Sequence, residues 1–77
     1  LNECLSLKDI MEDYMSHTFT TNFGHTAQVE TRRHLAAISI DGEFIKCVKA
    51  YRARTALDCI RLLKQEAPYI PGAWHLV

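Results

Sequence analysis

Glycine occurs only three times in this chain, proline twice and tryptophan once. So few glycines leave no G-x-G-x-x-G turn and no P-loop, which excludes the common phosphate-cradling sites of nucleotide enzymes. Two prolines make no proline-rich linker, and no internal repeat or low-complexity stretch interrupts the chain. No apolar run approaches the roughly 18 residues of a membrane span, and no signal-peptide hydrophobic core is visible. Net charge is lacking too, because nine basic residues balance nine acidic ones. Neutrality removes the simplest electrostatic case for a nucleic-acid or membrane-surface protein.

Cysteine is also scarce. Cys4, Cys47 and Cys59 are an odd number with no regular spacing, so the expectation is reduced thiols in a cytoplasmic chain. His17, His25, His34 and His75 are scattered, with neither a CxxC nor an HxxxH pair, so no metal and no cofactor are expected. What is present is 77 residues with 48% hydrophobic content, which fits one folded domain over 1–77. A domain this small buries a thin core. With disulfides and metals set aside, self-association or a larger partner is the remaining route to extra stability.

The charge balance hides a segregation. Residues 1–30 carry one basic residue against five acidic ones, and residues 31–77 carry eight against four, giving −4 and +4. A neutral chain built this way can still present a basic face.

Local signals predict an α+β fold with the order helix, antiparallel hairpin, helix (α-β-β-α), with a third short edge strand as an option. Ser6 and Asp9 have capping-box spacing, and Leu7, Ile10, Met11, Tyr14 and Met15 share one helical face. A first helix is therefore expected over 7–17. Residues 18–23 read as the optional edge strand or a connector, ended by Asn22-Phe23-Gly24. Residues 26–33 alternate weakly and stay open between strand and helix.

Asp41-Gly42 is the pair favoured in a two-residue type I′ turn, whose central positions both need positive φ. Strands are expected over 35–40 and 43–51, with Ile40 opposite Glu43, Ile38 opposite Ile45, Ala36 opposite Cys47 and His34 opposite Lys49. One sheet face then carries Ala36, Ile38, Ile40, Ile45 and Cys47. The other carries Leu35, Ala37, Phe44 and Val48, and is apolar enough to need a cover. A second helix starts after Thr55, with Asp58 as its capping partner, and carries Ala56, Cys59, Ile60, Leu63 and Ala67, widened by Leu57 and Leu62. Ala67 precedes Pro68, which ends it. The tail 69–77 is too apolar to be free, so it is expected to dock, as a candidate cover for the second sheet face.

Three groups are candidates for chemistry. Cys59 beside Asp58, with a histidine from elsewhere, has the composition of a nucleophilic pair, but its place on the apolar stripe reads more plainly as an inert buried thiol. The acidic residues of 7–17 read as a solvated helix face. His25 and His34 are candidate anion contacts, against the plainer reading of exposed loop histidines.

The basic residues Arg32, Arg33, Lys46, Lys49, Arg52 and Arg54 gather at one end of the proposed hairpin. Arg52 and Arg54 lead into a helix N-terminus, which favours anions. Together they form a predicted docking patch for phosphate backbone or an acidic protein. The apolar face of Leu35, Phe44 and Val48 is a second predicted docking surface.

The stretch Ile38-Ser39-Ile40-Asp41-Gly42-Glu43-Phe44, followed by Ala53, Ala56 and Leu57 within 52–63, resembles the double-stranded-RNA-binding domain. That resemblance implies an RNA-binding module. The lysine-rich opening of that family's last helix is replaced here by Arg52 and Arg54 around Ala53. By class rather than by residues, small domains without an active site are often inhibitors or adaptors, such as phage-encoded proteins that block host defence complexes. The expectation is accordingly a non-enzymatic domain that binds a protein partner or a second copy of itself. Nucleic-acid binding is the alternative, with no membrane and no small-molecule substrate.

Overall fold

The computed structural model describes residues 14–32, 34–50 and 54–77. In chain order its elements are β1 (Met15–Thr20), β2 (Thr26–Arg32), β3 (Leu35–Ile40), β4 (Glu43–Lys49), α1 (Ala56–Glu66) and β5 (His75–Leu76). The strands form one antiparallel sheet in the order β4-β3-β2-β1-β5, a meander closed at one edge by the tail. The helix–hairpin–helix arrangement is thereby corrected: the described residues hold five strands and one helix.

The correction begins at the first predicted helix. Residues 7–13 lie outside the described ones, but Met15–Thr20 is a strand. The helical stripe through Tyr14 and Met15 competes there with β-branched Thr18 and Thr20, which fit a pleated surface. Pairing decides it: Phe19 lies opposite Ala27 and His17 opposite Val29. The open stretch 26–33 resolves as strand β2 through Arg32, its burial alternating from Thr26 to Val29. Thr21, Asn22, Phe23, Gly24 and His25 make the connection, in which the Thr21 amide donates to the His25 carbonyl at 3.0 Å.

The β3–β4 hairpin follows its turn chemistry. Asp41 and Gly42 have φ of 53° and 82°, as a type I′ turn requires, and Ile40 lies opposite Glu43. Beyond Phe44, opposite Ser39, the ladder shifts by one residue at a β-bulge, so Lys46 faces Ile38, Cys47 faces Ala37 and Val48 faces Ala36. Leu35, not His34, is opposite Lys49. The slip exchanges faces: Val48 turns toward the side carrying Ile38, and Cys47 turns away from it.

The core lies between one sheet face and α1. Phe19, Ala27, Val29, Ala36, Ile38 and Ile40 supply the sheet side, and Cys59, Leu63 and Ala67 supply the helix side. Thr55 caps α1 with the expected box: its Oγ1 accepts from the Asp58 amide, and the Asp58 carboxylate accepts from the Thr55 amide. Leu57 is a smaller correction, since it is exposed. The tail docks, but not over the second sheet face. Trp74 enters the same core cluster, Ile70 packs against it, and β5 adds to the edge of β1 through Leu76 opposite Phe19.

The second face is closed only in part. Arg32 and Ala37 are buried on it, while Thr18, Gln28 and Phe44 remain exposed. Cys47, also on this face, is held in a disulfide, so the expectation of three reduced thiols fails, and with it the basis for a cytoplasmic chain. Among the described residues, Cys59 is a free, buried thiol. Among the described residues, no helix is long and apolar enough to cross a membrane.

Candidate functional site

The fold disperses much of the predicted basic patch. Arg32 is 2% exposed and engaged within the structure, so its guanidinium is not on an open surface. Arg33 and Arg52 lie outside the described residues. Lys46, turned toward α1 by the bulge, pairs with Glu66 at 3.1 Å. Lys49 is exposed at the end of β4, and Arg54 is exposed and engaged just ahead of the helix cap. The capping box also puts a carboxylate at the start of α1. The Thr55 hydroxyl and amide hold the Asp58 carboxyl below its ordinary range, and a charge of that sign opposes a phosphate there. Elsewhere on the exposed part of the second sheet face, with Ser16, Thr18 and Gln28, the Gln28 amide donates to Ser16 Oγ at 3.0 Å.

The predicted apolar surface splits in the same way. Phe44 is exposed, Leu35 is half-buried on the same face, and Val48 belongs to the core side. These three side chains do not form one surface.

The fold does bring together a cysteine and a histidine. Cys59 Sγ lies 3.7 Å from His17 Nδ1, and the His17 ring stacks on Phe19. The chemistry of the pair is set by burial. Cys59 is 0% exposed, and desolvation, with the Asp58 charge second, pushes its thiol up to about 11. A nucleophilic cysteine needs a lowered pKa and access to substrate. This one is a protonated thiol in the core. Sequence reasoning could not name His17, because a residue placed at a helix end has no defined partner until β1 pairs with β2.

A second pair ties two turns together. His25 Nδ1 lies 2.9 Å from Asp41 Oδ2, and Asp41 Oδ1 accepts from the Thr26 amide at 2.9 Å. The Asp41 amide in turn donates to the Thr26 carbonyl at 2.7 Å. The hydrogen bond from His25, then that from Thr26, hold the Asp41 carboxyl below its ordinary range. His25 is thus a strut between adjacent hairpins rather than a free anion contact; His34 is exposed at the β2–β3 turn and is engaged as well.

The exposed apolar side chains are distributed unevenly. Among the described residues, six of the eight large ones, Tyr14, Met15, Phe23, Tyr69, Leu76 and Val77, lie just before β1, on it, in its following turn, on β5 or in the tail; Phe44 and Leu57 lie elsewhere. Phe23, at 64% exposure, sits over Gly72, where a Cβ would come within 2.7 Å of its ring. The positive φ of Gly72 and the missing side chain let the tail pass beneath that ring. The sequence signal for this side was the apolar tail, expected to dock rather than stay free; Trp74 and Ile70 join the core cluster, and β5 and the Val77 amide pair with β1, while the Tyr69, Leu76 and Val77 side chains stay exposed. Among the described residues, no three His, Cys, Asp or Glu side chains gather as a metal site. No family model, curated protein or solved structure matches the chain.

Proposed function

We propose that this chain is a non-enzymatic binding domain, of the inhibitor or adaptor type, that docks on a protein through its β1–β5 side. The observation that carries this reading is that, among the described residues, six of the eight exposed large apolar side chains belong to β1, the residues flanking it, β5 or the tail. Exposed apolar clusters mark contact surfaces more often than scattered single residues do. Aromatic residues such as Phe23 and Tyr69 are also the types enriched at interface centres. A second copy of the chain is one such partner. The dispersal of Arg32 and Lys46 weighs against a nucleic-acid backbone, which is bound by many unpaired cations. Since structural disulfides persist in oxidising compartments, the disulfide at Cys47 leads us to infer an oxidising compartment rather than the cytoplasm.

The test compares three variants whose native fold is first confirmed by circular dichroism and melting. Immobilised wild-type protein, Phe23→Glu, Leu76→Glu and Lys49→Glu are each exposed to extracts with and without nuclease, and self-association is followed by sedimentation. The expected result is that Phe23→Glu and Leu76→Glu lose the bound protein or the dimer, while Lys49→Glu keeps it. Capture that disappears with nuclease and falls steeply with salt overturns the protein reading in favour of nucleic acid.

A further inference from the structure

We draw no further inference here: the strongest candidate, the short backbone edge of β1 at residues 15–17 beyond the reach of β5, has exposed Met15 and Ser16 beside it, but nothing in the structure shows what covers it.

Discussion

At the residue scale, Asp41 combines two demands that one side chain satisfies. Its backbone holds a positive φ, which Asp and Asn tolerate better than most residues. Its carboxylate accepts from His25 and from the Thr26 amide. Because the carboxyl is lowered in the folded state, its contribution is present above its ordinary value of 3.8 and is lost as pH falls through the folded value. Asp41→Asn keeps the turn geometry and removes the charge. The variant is expected to be less stable than wild type near neutral pH, with the gap closing below about pH 4. Denaturant titrations at a series of pH values measure this; a gap that is constant with pH would show that the carboxylate charge is not what matters. Cys59 gives a second residue-scale expectation. Buried and protonated, it should react with thiol reagents only as fast as the protein opens. Rapid labelling of the native protein would place the thiol at the surface and reopen its pairing with His17 as chemistry.

At the element scale, what was legible in the sequence was local. The Asp41-Gly42 turn and the Thr55–Asp58 box are each formed by residues a few positions apart, so local backbone preference specifies them. The bulge after Phe44 was not legible, because register follows from which side chains the core accepts, and a one-residue slip reverses every face. Hence Cys47 and Val48 exchanged sides and Lys46 reached Glu66. The strand at Met15–Thr20 was hidden for a related reason: its partner is β2, whose alternation is weak, and tertiary pairing overrides propensity. The candidate site was less legible still, since burial of Arg32 depends on the folded sheet and not on its neighbours in sequence. The α1 assignment carries its own checks. Leu63→Ala should cost about 2–5 kcal/mol, as large-to-small core changes do. Leu57→Ala, at an exposed position, should stay within about 0.5 kcal/mol. Equal losses in chemical denaturation would mean that α1 is rotated about its axis. Gly72→Ala joins the two themes: a Cβ there meets Phe23 and Asn22 at a positive φ. It should destabilise by about 1 kcal/mol or more and move the Phe23 ring, visible in its aromatic proton shifts.

At the scale of the whole molecule, a 77-residue chain has little core to spend against the entropy of ordering it. Its largest fully buried side chains include Phe19, Ile38, Leu63 and Val29, together with the charged Arg32. A covalent cross-link is the common supplement at this size, and Cys47 provides one end of it. It stands on the face opposite α1, where packing by the helix cannot help. The cross-link and the helix therefore stabilise different sides of one sheet. Reduction should lower stability by about 2–5 kcal/mol, the usual cost of losing a native disulfide in a small domain. The measurement is a denaturant melt with and without reductant, repeated on Cys47→Ser. The variant should match the reduced wild type and no longer respond to reductant. Thiol counting supplies the second half of the argument. Unfolded without reductant, the chain should show one reactive thiol, that of Cys59, and three after reduction. If two thiols appear before reduction, Cys47 is cross-linked between chains instead, and the mass should be that of a dimer. If all three appear and the melt ignores reductant, the sheet holds without a cross-link and the argument for an oxidising compartment falls with it.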